Sequence, residues 1–370
     1  MNKTRNSNIE LLRIIIMAGV IILHYNNAEI GGGLVYTFSL SVNNIILHFL
    51  ESMAICAVNV FVLITGYYMC YSDSVSILKP LKLLVEVILF KLAAVVLTQG
   101  LSVVSGMPAD WGAFGKGLLK ALIPNNYFVI LYIALYCLVP YINVLLNHLS
   151  DVQLIKFVFL SGFLFSVWPF GADILSGLTN QEWNGLNTIG FLGDQSGYTI
   201  VNFVLMYCLG VYLRRNKAKE TSGYMDILKY IGCVIVICLL SYAKADGWTI
   251  ENCAWEYCNP FVILAAVSLF RIFEKRKEFQ NARINRLAGA CFTVYLIHTF
   301  FIPYIGVQKF VGHIWYIMLA HILVAVLGIY LICFLIDVIY NFFMERIWKI
   351  LCRVFPVLQK RITCEKELQH

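Results

Sequence analysis

"NIELLRIIIMAGVIILHYNN", residues 8–27, holds ten uncharged, mostly apolar residues between Arg13 and His24. An apolar run of about 20 residues is long enough to cross a bilayer as a helix. This one carries an ionised residue toward one end and an imidazole toward the other, neither of which belongs against lipid. Lys3 and Arg5 precede the run, as in a signal peptide, but no small-x-small cleavage site follows. The stretch therefore reads as a retained first helix.

Beyond it, the chain is 60% apolar and only 13% charged, against about 25% charged in soluble domains. Apolar windows recur near 8–28, 43–71, 79–104, 126–147, 153–170, 198–214, 227–244, 256–274, 287–307 and 313–343. The expected fold is all-α, a polytopic membrane helical bundle of about ten spans. Residues 1–345 read as one transmembrane domain and 346–370 as a basic cytoplasmic tail.

The net charge of +7 is not a nucleic-acid signal, because the basic residues fall in short clusters between apolar runs. One set holds Lys3 and Arg5, Lys79 and Lys82, Arg214 to Lys219, Arg271 to Arg286, and the tail; the other holds only Lys116, Lys120, Lys244 and Lys309. The positive-inside rule makes the first set cytoplasmic and puts both termini inside. Two expected outer segments differ in kind. Residues 171–197 contain no Lys or Arg but carry Asp173, Glu182 and Asp194, and read as a long loop able to cover a site. Residues 245–255 combine Asp246 and Glu251 with Trp248 and Trp255, groups that hydrogen-bond and stack on sugars or simply sit at the interface. Most of the 12 cysteines lie in apolar runs as small core residues. Cys253 and Cys258 share a polar loop and could pair or stay reduced, and no Cys/His cluster suggests a metal.

Eleven residues at 100° each bring His24 to within about 20° of Arg13, about 16 Å further along one helix face. Glu10, three residues before Arg13, can pair with it. Arg at mid-bilayer costs about 2.5–3.5 kcal/mol on insertion scales, so this stripe should face the bundle interior or a watery cavity. The plainer alternative is an Arg13 that snorkels and a His24 bonded to a neighbouring helix. His298, in "CFTVYLIHTFF", is a second intramembrane imidazole, whereas His48 and His321 lack comparable context. In the second span, Asn59, Thr65, Gly66 and Tyr67 combine close approach with hydrogen-bonding groups; in the fourth, Tyr132, Tyr136, Pro140 and Asn143 recur at near-helical spacing. Packing or a polar cavity would explain either set. Lys79 and Lys82 can share a face and hold phosphate, or serve only as topology signals. No GxxxxGK[ST] or GxGxxG motif is present.

At these residues the chain resembles the membrane acyltransferase-3 family of O-acyltransferases. The most specific mark is an Arg and a His separated by ten residues in the first helix, here Arg13 and His24. "FVLITGYY" resembles a Phe-rich stretch ending in Ser-Gly-Tyr, with Thr65 in place of Ser, and "NYFVILYIALYCLVPYIN", "YTIVNFVLMYCLGVYLRR" and "VYLIHTF" follow in the expected order. Where many members that modify polysaccharides have Arg-x-x-Arg after the second helix, this chain has Lys79-Pro-Leu-Lys82, which keeps charge but loses the bidentate fork. The extra extracytoplasmic domain of some members is absent, so the membrane bundle would act alone.

The resemblance implies transfer of an acyl group, most often acetyl, from cytoplasmic acetyl-CoA to a hydroxyl of a surface or lipid-linked glycan at the bacterial plasma membrane. Acyl-CoA would be a donor substrate, with no permanently bound cofactor and no nucleic-acid partner. In that reading His24 is general base or nucleophile, Arg13 with Lys79 and Lys82 holds the donor, Glu10 orients Arg13, and Tyr67, Asn143 and His298 line the substrate cavity. A transporter or flippase, in which Arg13 and His24 form a substrate or proton path, is the rival class, although no paired broken helices or repeat symmetry support it. A sensor bundle is a third class that fits the composition.

Overall fold

The computed structural model describes residues 5–106, 110–179, 181, 183, 197–217, 223–242 and 254–354, with side chains as far as residue 347. Among the described residues every regular element is helical. A helix lies at each of the ten expected spans. Among the described residues five helical stretches are long and apolar enough to cross a membrane, and a sixth span results if a bent pair is counted as one. The chain folds as two compact units, one from residues 1–38 and 277–370, the other from residues 39–276.

The first unit joins both ends of the chain. Helix α1 (Ser7–Asn26) starts where the Asn6 side chain accepts from the Asn8 N–H, and Glu10 in its first turn complements the helix dipole. A turn after it folds back: Gly33 N–H donates to Tyr25 O, and Gly32 takes φ 74°, which only glycine adopts without strain. The late segment contributes α12 (Ala282–Gly289), α13 (Cys291–Phe301), α14 (Val307–Val311) and the long α15 (Trp315–Val354). Helix α12 and the segment Cys291–Tyr304 that follows it meet at 55°. The start of α1 is tied to this segment, because Ser7 Oγ donates to Asn285 Oδ1 (2.8 Å) and Asn8 Nδ2 to Lys277 O (2.9 Å).

The second unit contains α2 (Val42–Ala54), α3 (Ala57–Met69), α4 (Leu78–Val104), α5 (Trp111–Ala121), α6 (Tyr127–His148), α7 (Asp151–Gly162), a π-turn at Phe163–Val167, α8 (Trp168–Thr179), α9 (Ile200–Arg215), α10 (Tyr224–Leu240) and α11 (Pro260–Glu274). Its tightest crossing joins α3 to α9. A Cβ on Gly66 would lie 2.2 Å from Tyr207 O, and one on Gly210 2.3 Å from Leu63 O. Two glycines thus let the backbones touch, the small-residue packing that replaces hydrophobic drive in membranes.

Two stretches depart from expectation. Residues 171–179, read as the start of an outer loop, continue the helix to Thr179, because the five-residue π-turn carries the helix past Phe163 rather than ending it. Of the rest of that loop only residues 181, 183 and 197 are described, and Glu182 and Asp194 lie outside the described residues. The 11-residue α5 was not expected; Asp110 caps it by accepting from the Ala113 N–H. It is too short to read as a span. Its C-terminus is closed by Lys91 from α4, whose ammonium donates to Lys120 O (3.3 Å), Ile123 O (2.7 Å) and Asn125 Oδ1 (2.9 Å). Such a cation complements the negative end of the helix dipole.

Candidate functional site

Within the first unit, α1 and α13 bring two imidazoles together. His24 Nδ1 lies 2.9 Å from Val20 O and 3.0 Å from His298 Nε2. His298 Nδ1 lies 2.8 Å from Val294 O. The rings meet edge to face, 4.7 Å between centroids. A carbonyl oxygen can only accept, so each Nδ1 must carry the hydrogen, and in a neutral ring each Nε2 then carries a lone pair. This assignment is inferred from partners, and it is self-consistent: the His24 Nδ1–H, shared between two acceptors, points at the lone pair of His298. His24 Nε2 takes no hydrogen bond among the described residues. His298 is 1% exposed, whereas His24 is half-buried.

The sequence reading has His298 line the substrate cavity. Its ring is buried and turned to His24, a contact that sequence could not reveal across 274 positions. Tyr295, one turn earlier, keeps its ring 6.3 Å from that of His298.

Toward the start of α1, Arg13 Nη1 pairs with Glu10 Oε1 at 3.5 Å, as the three-residue spacing implies. The Arg13 side chain is 33% exposed and that of Glu10 only 8%. Arg5 approaches the other Glu10 oxygen at 4.0 Å. One carboxylate thus sits between two guanidinium groups, and Arg13 keeps N–H donors beyond this single pairing. Arg13 and His24 do not touch, since the helix separates them by three turns.

Of two further polar groups of this unit, the sequence reading passed over Asp337 and named His321 without giving it a role. Asp337 on α15 accepts from Thr293 Oγ1 (2.6 Å) and Asn341 Nδ2 (2.9 Å). His321 donates through Nε2 to Ile305 O (3.0 Å), accepts through Nδ1 from Tyr25 Oη (2.9 Å) and stacks on Phe310. An acid and an imidazole inside the last apolar window were the available signal, since intramembrane ionisable groups need partners. Both have them, and both are structural as they stand.

The second unit holds the other expected site residues. Lys79 lies at the start of α4 with its ammonium 5.9 Å from the Tyr136 ring centroid, and Lys82 follows one turn later. Tyr67 is buried, its hydroxyl accepting from Arg214 Nη1 at 3.4 Å while the guanidinium lies over its ring. Asn143 is 1% exposed. Its amide donates to Met69 O (2.7 Å) and Ser72 O (3.0 Å), and its carbonyl accepts from Tyr207 Oη (2.7 Å). Asn143 is thus engaged on both its amide and its carbonyl, whereas the Tyr67 hydroxyl keeps its own hydrogen to donate. For Asn143 the simplest role is to tie off the end of α3, whose last carbonyls have no helical partner. An Asn143→Leu protein is expected to lose about 1–2 kcal/mol, because Ser72 O loses its amide donor while Met69 O keeps the Ser72 N–H (3.0 Å) and Tyr207 Oη (3.1 Å), read as a lower unfolding midpoint in detergent. Thr65, the departure from the family pattern, donates to Phe61 O in its own helix at 3.0 Å, a bond that serine makes equally well.

Among the described residues no group of three or more His, Cys, Asp or Glu could hold a metal ion. Trp255 is described, but Asp246, Trp248, Glu251 and Cys253 are not, so the 245–255 loop and the Cys253–Cys258 question lie outside the described residues.

Among curated proteins and among solved structures, nothing matches this chain. The family model for the acyltransferase domain matches residues 6–338, which include both histidines and nearly every helix described above. With that coverage, five or six helices fit to span a membrane and a histidine whose second nitrogen is open, the chain belongs to the acyltransferase-3 family of membrane acyltransferases.

Proposed function

We propose that this chain moves an acyl group, most simply acetyl, from cytoplasmic acyl-CoA to a hydroxyl of an extracytoplasmic or lipid-linked glycan, with His24 as the reacting residue. The observation that carries the reading is the occupied Nδ1 of His24, which leaves Nε2 as a bare lone pair on a half-buried ring. As general base, Nε2 takes the proton of the acceptor hydroxyl while that oxygen attacks the thioester carbonyl. The carbon–sulfur bond breaks, and Nε2–H returns the proton to the CoA sulfur. As nucleophile, the same lone pair attacks the carbonyl first and passes the acyl group on. Both routes start from one atom.

Arg13 is assigned to the donor. It stays charged, forks onto phosphate and keeps donors free beside Glu10, which holds it in place. Lys79 and Lys82 are assigned to the same polyanion, as charges without the fork. The layout proposed is ten spans with both termini cytoplasmic, in a bacterial plasma membrane, with residues 1–345 as the membrane domain and 346–370 as its tail. Such a layout lets a cytoplasmic donor and an external acceptor meet at one histidine.

Purified protein given labelled acetyl-CoA and surface glycan is expected to release CoA and label the glycan; neither product would appear from a transporter. Arg13→Lys should weaken the donor about tenfold, measured as KM for acetyl-CoA or by direct binding, because charge survives and one of two phosphate hydrogen bonds does not. Unchanged donor affinity would remove Arg13 from the donor site.

A further inference from the structure

His298 makes two contacts that packing does not require. A core histidine satisfied by Val294 O alone would leave its Nε2 lone pair stranded in a site 1% exposed to solvent, and a buried acceptor without a donor is costly. Among the described residues the donor that meets this lone pair is His24 Nδ1–H, 3.0 Å away. His24, for its part, already has Val20 O as an acceptor, so its ring does not need His298 for hydrogen-bond satisfaction. What the second acceptor adds is direction. A side chain free to swing about χ2 is fixed when its Nδ1–H is held from two sides. Phenylalanine or leucine would fill the same space without this effect.

We propose that His298 is a positioning residue for acyl transfer: its Nε2 accepts the Nδ1–H of His24, holds that ring as the Nδ1–H form, and aims His24 Nε2 at the substrates. The proposal rests on the reading of His24 as the reacting residue and extends it to the group behind it. When His24 Nε2 takes up the acceptor proton, the ring becomes an imidazolium with hydrogen on both nitrogens. Its Nδ1–H bond to His298 then becomes charge-assisted and stronger. The proton that left the hydroxyl stays on Nε2 until the CoA sulfur takes it, so His298 gains and loses none. An uncharged acceptor suits this depth, where a carboxylate would need a counter-charge.

The test compares His298→Gln, His298→Asn and His298→Phe in the full chain, purified in detergent. A glutamine carbonyl reaches the place of imidazole Nε2, whereas an asparagine carbonyl stops near Nδ1. His298→Gln is expected to keep kcat within about tenfold of wild type, while Asn and Phe lose about 100-fold, the cost of a misaimed reacting group. The KM for acetyl-CoA should stay within about twofold in all three. Equal rates for Gln and Asn, or a Phe variant with near wild-type kcat, would overturn the proposal. If the Phe variant fails to fold, the Gln and Asn pair carries the comparison, since the two differ by one methylene. A second readout is independent of turnover: nitrogen NMR on protein labelled at the histidine rings should show His24 protonated at Nδ1, and the His298 Nε2 signal should move in His24→Ala as its donor disappears. A His24 ring protonated at Nε2 overturns the assignment whatever the kinetics. Wild-type protein that never releases CoA would instead overturn the transfer reading, and the two failures are thereby distinct.

Discussion

A His24→Ala protein is expected to transfer no acyl group above background while remaining folded. General-base help contributes about 10²–10⁴-fold, and a nucleophile cannot be replaced by a methyl group at all. The loss should therefore be at least 10²-fold and complete if an acyl-histidine forms. Structure should survive. The substitution removes one half-buried ring from a 20-residue helix that stays packed through the buried Leu12, Ile16, Met17 and Val20. It leaves the lone pair of His298 Nε2 unmatched, a penalty of about 1–3 kcal/mol, within what a folded domain tolerates. Labelled acetyl transfer is the measurement of choice, because thiol reagents that detect CoA would also react with the 12 cysteines of the chain. A monodisperse variant with a normal rate would end the case for His24 chemistry.

The second large effect concerns stability. Gly210→Ala and Gly66→Ala are each expected to destabilise the protein by about 3 kcal/mol, the upper end of overpacking penalties. In both, the new methyl carbon would lie closer than 2.5 Å to a backbone oxygen of the facing helix. Rotamer changes relieve a clash with a side chain; a carbonyl in a helix moves only if the helix moves. Gly232→Ala in α10 supplies the control, since nothing lies within 4 Å of its Cβ position. There the substitution should be neutral or mildly stabilising, as alanine loses less backbone freedom on folding. Thermal unfolding in detergent separates the cases, and a Gly66→Ala protein melting with wild type would show that α3 and α9 do not run as close as described.

The helical class was legible because apolar windows of bilayer length are a strong signal and bilayers admit little besides helices. The Glu10–Arg13 pair was legible too, since i, i+3 spacing on a helix is a local property. What sequence could not supply was anything set by tertiary approach. His298 was noticed as an imidazole in an apolar run, yet only the packing of α13 beside α1 shows it as a partner of His24. Asn143 fitted a ladder of polar groups, and its near-helical spacing said nothing of the Met69 and Ser72 carbonyls to which it donates. The helix α5 and the continuation to Thr179 were hidden for a different reason. Short amphipathic segments lack the length signal, and a π-turn leaves no mark in the pattern of side chains.

The union of α1 with α13 has a consequence for biogenesis. The two histidines are 274 positions apart, so at about 5–20 residues per second the first imidazole leaves the ribosome roughly 15–55 s before its counterpart exists. During that interval the intervening unit can assemble from nearer neighbours, while the leading helix holds only its own local partners, Glu10 for Arg13 and Val20 O for His24. The proposed aiming of His24 by His298 is therefore set only after residue 298 has been made.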